Sequence, residues 1–215
     1  MTLRTQKRSA LAPGDLAYVR KRYETRIQEA GVTVASLNAG TLKKQRILHG
    51  VHASAFQGPR ARVLDVGCGL AQFYGYLVEQ GLAPVYTGYD IVPAYVEACK
   101  KRYPEALFKL RNIFESGIGD SFDTIVFSQV LNNHYRESDN IQVMQAALEM
   151  AFRHTRHSVS VDMLSTHVDY CEPHLYYYDP GKILDFARTL TPHAVLRQDH
   201  HPFEFCIQLF RDKAR

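Results

Sequence analysis

The fold of this chain is decided by the stretch Val63-Leu64-Asp65-Val66-Gly67-Cys68-Gly69-Leu70-Ala71, an apolar run that ends in a glycine loop. The run predicts a buried strand, and the residues after it predict a helix. Gly67 and Gly69 allow the backbone to turn tightly and to approach a ligand closely. In an open α/β sheet such a loop lies at the carboxyl end of the strands, where ligands bind.

Strand and helix signals alternate on both sides of this loop, over residues 61–164. Alternation of short apolar strands with helices is typical of a parallel sheet that is covered by helices on both faces. It predicts an α/β fold with a doubly wound, Rossmann-like sheet. The predicted strands are Arg62–Val66, Val85–Asp90, Leu107–Leu110, Phe122–Ser128 and His157–Met163, and the helices include Gln72–Gln80, Pro93–Tyr103 and Ser138–Arg153.

The two ends of the chain differ from this central pattern. Residues 1–58 predict an N-terminal helical cap, and residues 59–215 predict one compact domain. In the cap, Asp15 is expected to be the N-cap of a helix that Gly31 ends, and a second helix is expected from Thr41 to about Phe56. Near the C-terminus we expect a helix and then an antiparallel hairpin at the sheet edge, formed by Lys182–Leu190, Ala194–Arg197 and Phe203–Phe210.

Composition narrows the class of protein. The chain has 215 residues and a formal net charge of +4, which is too small an excess to indicate nucleic-acid binding by itself. No apolar run reaches the roughly 20 residues of a membrane helix, and the N-terminus does not resemble a secretory signal. The four cysteines form no CxxC pair, so we expect free thiols and a cytoplasmic location.

The residues around the loop restrict the ligand. A dinucleotide fingerprint needs a third glycine where this chain has Gln72, and the Gly-Lys-Ser/Thr of a phosphate-binding loop is missing. Asp65 is a poor neighbour for a pyrophosphate and a good one for a cation. Asp90, at the end of the next strand, can accept hydrogen bonds from both hydroxyls of a ribose. Asn112, after the third strand, is placed to meet an adenine edge, so these residues predict a cationic nucleoside without phosphate, such as S-adenosylmethionine.

With those residues in place, Asp65-Val66-Gly67-Cys68-Gly69, Asp90 and the strand Phe122–Ser128 resemble the motifs of class I S-adenosylmethionine-dependent methyltransferases. The resemblance covers roughly residues 60–165. More loosely, both ends resemble a small bacterial subgroup of unassigned substrate, through residues such as Gln45-Arg46 and Tyr176-Tyr177-Tyr178-Asp179-Pro180.

The resemblance implies a set of cofactor contacts. The backbone of Gly67, Cys68 and Gly69 is expected beside the methionine portion, with Asp65 at the ammonium group and Asp90 at the ribose. Ile91 and Ile113 are expected on either side of the adenine, and Ser128, Gln129 and Val130 beside the sulfonium. From the composition of the cap, we also expect Arg46 to pair with the cofactor carboxylate.

The chemistry of methyl transfer leaves the protein to align the reactants and sometimes to supply a base. The loop after the fourth strand offers Asn132, His134 as a base near neutral pH, and Tyr135 to orient a substrate. The segment after the fifth strand offers an aromatic wall, in which Tyr177 is a further candidate. No compact metal-ligand spacing is present, so we expect no metal site.

Several alternatives stay open at this point. We expect methylation of an oxygen or nitrogen of a small-molecule acceptor, with no membrane partner and no nucleic acid. The basic segments Arg20-Lys21-Arg22 and Lys43-Lys44-Gln45-Arg46 keep a nucleic-acid methyltransferase as an alternative. A second alternative uses the cofactor without transferring methyl, for example by cyclising its aminobutyrate arm. A purely binding role is the third, and the oligomeric state is left open, a homodimer included.

Overall fold

A seven-stranded sheet is the centre of the structure, a computed structural model that describes residues 10–37 and 40–212. The strand order is β3-β2-β1-β4-β5-β7-β6. The strands are β1 (Arg62–Val66), β2 (Val85–Asp90), β3 (Leu107–Leu110), β4 (Phe122–Phe127), β5 (Thr155–Leu164), β6 (Ala194–His201) and β7 (Glu204–Phe210). The helices are α1 (Pro13–Ala30), α2 (Val34–Leu37), α3 (Leu42–Ala53), α4 (Gln72–Glu79), α5 (Pro93–Arg102), α6 (Ile113–Ser116), α7 (Asn140–His154) and α8 (Pro180–Leu190).

The sheet is parallel from β3 to β5, and β7 and β6 add an antiparallel hairpin at its edge. The predicted fold class is therefore confirmed. Strands β2 and β3 lie on one side of β1, and β4 and β5 lie on the other. The boundary between β1 and β4 is the switch point in strand order where ligands bind in open α/β sheets. Apolar clusters fill both faces, one against α7 and α8 and the other against α4 and α5.

Two details of the hairpin and of the cap differ from the sequence prediction. Strand β6 continues through an irregular stretch as far as His201, so the turn is only Pro202 and Phe203, whereas the predicted strands leave residues 198–202 between them. Asp15 lies inside the first turn of α1, and Ala12 precedes the helix without a side-chain cap. Helices α2 and α6 were not predicted, since four residues are too few to show periodicity.

Asp15 instead fastens α1 to the loop after β4. Its carboxylate accepts hydrogen bonds from the backbone N–H groups of Arg136, Glu137 and Ser138, at 2.7 to 3.3 Å. Farther along the helix, Arg20 Nε donates to the carbonyl oxygen of Ile91 at 3.1 Å, in the loop after β2. Helix α1 is thus held across the carboxyl ends of the strands. Residues 1–9, 38 and 39 of the predicted cap lie outside the described residues.

Helix α3 packs on one face of the sheet beside β5 and β7. Ser158 Oγ donates to the carbonyl oxygen of Ala55 at 2.6 Å, and Gln208 Nε2 donates to that of Val51 at 2.8 Å. Within the described part of the chain, no helix is long and apolar enough to cross a membrane.

Candidate active site

A cavity of about 330 Å³ lies between the carboxyl ends of β1, β2 and β4 and the underside of α1. Helices α1 and α3, the glycine loop and the loops after β2 and β4 all contribute to its wall. The residues predicted to hold the cofactor that line it are Asp65, Gly67, Cys68, Gly69, Asp90, Ile91, Asn112, Ile113, Ser128, Gln129 and Val130. Their individual roles remain predictions.

Backbone conformation and backbone hydrogen bonds fix the shape of the glycine loop. Gly67 has φ +74°, and a Cβ on it would lie 2.5 Å from Cγ2 of Val130. The N–H groups of Gly67 and Cys68 donate to the carbonyl oxygen of Tyr89 at 2.7 and 3.0 Å. Glycine is required here because its backbone is in the left-handed region and because a Cβ atom would clash with the side chain of Val130.

Asp90 links the glycine loop to the end of β2. One carboxylate oxygen accepts from Gly69 N–H and the other from Val92 N–H, both at 2.8 Å. Burial raises the pKa of Asp90, and these backbone donors oppose that rise. A carboxylate oxygen has a second lone pair, so both oxygens can also accept hydroxyl groups from a ligand in the cavity.

Asp65 carries an oxygen that lacks a partner. The hydroxyl of Tyr86 donates to Oδ2, whereas Oδ1 is buried and accepts no hydrogen bond from any described residue. Burial raises the pKa of Asp65 to about 6. A buried acceptor without a donor is costly, and a cationic ligand with N–H groups would remove that cost. Asp65 and the glycine loop therefore fit the ammonium group of S-adenosylmethionine.

The loop after β4 turns sharply at Gln129, whose φ is +58°. Its N–H donates to Oδ1 of Asp162 at 2.8 Å, and His52 Nε2 lies 3.1 Å from the same oxygen. Burial alone would lower the pKa of His52, but hydrogen bonds and charges from Asp162 and Cys206 together outweigh burial and raise the pKa to about 10. A buried ion pair thus supports the strained residue Gln129 in the wall of the cavity.

The expected adenine end combines apolar and polar groups. Ile91 and Ile113 line the cavity beside Asn112, as the resemblance implied. The carboxamide oxygen of Asn112 accepts from Phe114 N–H at 3.0 Å and caps α6. This side chain therefore has a local structural role, and its NH₂ group is the part left for a ligand.

The structure divides the catalytic candidates into two pairs. Asn132 and Tyr135 line the cavity and are buried. His134 is exposed, with Nδ1 3.2 Å from the carbonyl oxygen of Pro173, and it does not line the cavity. Tyr177 lies outside the cavity as well, and its hydroxyl accepts from Glu172 N–H at 3.0 Å. The loops after β4 and β5 pair with each other and leave both side chains outside the cavity, so the catalytic roles of His134 and Tyr177 stay predictions that this arrangement does not favour.

The predicted aromatic wall is also absent from the cavity among the described residues. Tyr178 is buried in the core, and its hydroxyl donates to the carbonyl oxygen of Leu131 at 2.8 Å. Tyr176 packs against its ring at a centroid distance of 4.8 Å. From this segment Leu175 is the residue that reaches the cavity.

Arg46 does not line the cavity either. Its side chain is 52% exposed and forms an ion pair with Glu79 on α4, outside the cavity. The neighbouring residue on α3, Gln45, lines the cavity and accepts a hydrogen bond from Gln72 Nε2 at 3.0 Å. Successive residues on a helix point about 100° apart, and the sequence did not show which of the two faces inward.

Several cavity residues had no role in the sequence prediction. They are contributed by α1, by α3, by the turn before β7 and by the first residue of β7, and they include Arg22, Tyr23, Arg26, Lys44, His49, Phe203 and Glu204. Burial lowers the pKa of His49 to about 3, which keeps it neutral. Burial raises the pKa of Glu204 to about 7. Nothing in the sequence showed that the face of α1 that carries Tyr23 closes a cavity.

The described residues contain no group of three histidine, cysteine, aspartate or glutamate side chains that could hold a metal ion. His200 is half-buried, and neither of its two buried ring nitrogens has a hydrogen-bond partner within the described part of the chain.

Comparison with known proteins agrees with this geometry. The Mycobacterium tuberculosis protein Rv1506c, provisionally named a methyltransferase, is 28% identical over 148 residues, which is 66% of this chain and 89% of that protein. Magnesium protoporphyrin IX methyltransferase from Synechocystis PCC 6803 with bound S-adenosylhomocysteine superposes with a TM-score of 0.66 at 13% identity, over 92% of this chain and 100% of that one. Burkholderia thailandensis 1,6-didemethyltoxoflavin-N1-methyltransferase superposes with a TM-score of 0.59 at 16% identity, over 94% of this chain and 91% of that one.

The family model described as a methyltransferase domain matches residues 63–172. The match begins in β1 and includes the glycine loop, Asp90 and the loop after β4, which are the elements that build the cavity. The chain therefore belongs to this family and is a class I S-adenosylmethionine-dependent methyltransferase, as its motifs predicted.

Proposed function

We propose that this methyltransferase transfers the methyl group to an oxygen or nitrogen of a small-molecule acceptor. The proposal rests on the cavity of about 330 Å³ at the carboxyl ends of the strands, which α1 covers. A closed site of this kind excludes water and admits a small substrate. Two structurally similar proteins, the methyltransferases of magnesium protoporphyrin IX and of 1,6-didemethyltoxoflavin, support a small acceptor.

The residues of the chain position the reactants. We place Asp65 at the ammonium group, Asp90 at the ribose hydroxyls and Gln129, held by Asp162, beside the reacting centre. When bound, S-adenosylmethionine supplies a methyl group on a positively charged sulfur. The acceptor lone pair forms the new bond to that carbon, the carbon–sulfur bond breaks, and its electron pair stays on sulfur.

The acceptor also loses a proton, and Glu204 is the group that we place there to take it. Its carboxyl group lines the cavity, and it pairs with Leu164 across β5 and β7. The N–H of Leu164 donates to Asn132 Oδ1 at 3.1 Å, so Glu204 and Asn132 both lie next to the backbone of Leu164. With a pKa of about 7, this carboxyl group is matched to proton transfer near neutral pH.

The basic segments of the sequence do not favour a nucleic-acid acceptor, because internal contacts occupy two of their cations. Arg20 donates to the Ile91 carbonyl, and Arg46 pairs with Glu79. A phosphate-binding surface needs cations that are free to release counterions. The four cysteines are free thiols, which supports the proposed cytoplasmic location.

Calorimetric titration with S-adenosylmethionine, S-adenosylhomocysteine and NAD tests the cofactor first. We expect micromolar binding of the two sulfur nucleosides and none of NAD. Transfer of label from methyl-labelled S-adenosylmethionine is then compared between a panel of small hydroxy and amino compounds and bulk RNA. Label in small molecules supports the proposal, whereas label in RNA alone overturns it. Consumption of the cofactor with no labelled acceptor would point to cyclisation of its aminobutyrate arm.

A further inference from the structure

Two guanidinium groups face the cavity from α1. Arg22 and Arg26 are one helical turn apart, and both are half-buried cavity residues. Arg22 Nη1 donates to Asn133 Oδ1 at 3.1 Å, and the guanidinium carbon of Arg26 lies 5.5 Å from the centroid of the Tyr23 ring. Neither arginine forms an ion pair with a carboxylate among residues 10–37 and 40–212.

This pair is electrostatically uncompensated. Burial lowers the pKa of Arg22, and the neighbouring charge of Arg26 lowers it further. Two like charges that are partly removed from water, without a counter-charge, destabilise the protein unless an anion joins them. Two neighbouring guanidinium groups offer paired N–H donors that match the planar oxygens of a carboxylate.

The position of Arg22 and Arg26 indicates whether the acceptor or the cofactor carries the anion that they bind. Arg22 contacts Asn133, which pairs with Leu175 where the loops after β4 and β5 meet. The methionine portion of the cofactor is expected at the glycine loop, and Gln45 of α3 reaches the residue that follows this loop, Gln72. Arg22 therefore lies at the loops after β4 and β5, which remain for the acceptor, and Arg26 is one helical turn farther along α1, against Tyr23.

We propose that Arg22 and Arg26 bind a carboxylate of the acceptor, so that the acceptor is an organic acid that carries the hydroxyl or amino group to be methylated. This inference rests on the proposed function. The apolar residues that line the cavity, which include Leu175 and Tyr135, suit a compact ring or hydrocarbon between the two groups of the acceptor. The cofactor has a carboxylate of its own, and the test separates the two sources.

Benzoate and benzamide are the probes, because they differ in charge and share their shape. Each is titrated into the full chain with and without S-adenosylhomocysteine, so the anion site is tested even if the nucleoside fails to bind. We expect benzoate to bind at least about ten-fold more tightly than benzamide, as charged hydrogen bonds predict. Arg26→Gln should remove that preference, and Arg26→Lys should retain part of it.

Lys21→Gln is the matched control, since Lys21 is exposed on the same helix and lies outside the main cavity. It removes the same charge and should leave benzoate affinity within about two-fold. Urea unfolding of each variant shows whether the fold is retained. Equal binding of benzoate and benzamide, or no benzoate binding at all, overturns the inference.

A second comparison separates the acceptor carboxylate from that of the cofactor. S-adenosylhomocysteine and methylthioadenosine, which lacks the aminobutyrate arm, are titrated into the wild type and Arg26→Gln. Equal affinities for both proteins support the acceptor. A loss of more than about ten-fold for S-adenosylhomocysteine alone means that Arg26 binds the cofactor carboxylate, and the inference fails. Failure of the proposed function looks different, because the wild type would then methylate only RNA or would bind no sulfur nucleoside.

Discussion

Replacing Glu204 with glutamine is expected to stabilise the protein at pH 8 and to slow methyl transfer. Burial raises the pKa of Glu204 from the usual 4.5 to about 7. The folded protein thus holds this proton more tightly than the unfolded chain does. Stability is therefore lost as pH rises through this interval, because ionising the buried carboxyl group costs more than ionising an exposed one.

The magnitude follows from the pKa shift. Each pKa unit corresponds to about 1.4 kcal/mol, so the ionised Glu204 destabilises the native state by about 3 kcal/mol at pH 8. At pH 5 most of that penalty is absent, which leaves a difference of about 2 kcal/mol between the two pH values. Glutamine has nearly the same shape and cannot ionise, so the variant should lose this pH dependence.

Urea unfolding of the wild type and of Glu204→Gln at pH 5, 6, 7 and 8 measures the effect. The difference in free energy of unfolding between the two proteins should grow in favour of the variant as pH rises. Glu24→Gln, an exposed change on α1, is the control for net charge. A difference that stays constant from pH 5 to pH 8 would refute the argument that Glu204 titrates near neutrality.

The rate of methyl transfer by the wild type and by Glu204→Gln is measured with the acceptor found in the label-transfer screen. For a nucleophile that must lose a proton, kcat should fall by about 10² or more in Glu204→Gln, which is the range for loss of a general base. The wild-type rate should rise with pH through about 7, because only the ionised carboxylate takes up the proton. A variant that keeps both the rate and its pH profile would remove Glu204 from the reaction.

The remaining predictions concern cofactor binding, measured by calorimetry. Asp90→Ala should weaken S-adenosylmethionine binding by about 1–3 kcal/mol, and an unchanged affinity would exclude Asp90 from the site. Gly67→Ala should abolish binding, because its Cβ would lie 2.5 Å from Val130, whereas Gly81→Ala has the same positive φ with nothing within 4 Å and should lose only stability. Arg46→Gln should bind within about two-fold of the wild type; a ten-fold loss would restore this residue to the site.

The identity of the fold was determined by local sequence. The apolar run Val63–Val66, its glycine loop and the carboxylate of Asp90 are all set by residues close together in the chain. Strand and helix periods, glycine conformations and the order of elements are local properties, so β1, β2 and β3 begin and end where the sequence predicted. The cofactor class follows from the same short motifs.

The acceptor side of the site was decided only by tertiary structure. Pairing between the loops after β4 and β5 turns His134 outward, and the ion pair with Glu79 draws Arg46 away from the cavity that Gln45 enters. Glu204 lines the cavity from the hairpin and Arg26 lines it from α1, so two segments far apart in the chain contribute to one wall. These contacts join residues far apart in the chain, and no local pattern of hydrophobicity or charge specifies which partner a distant segment will find.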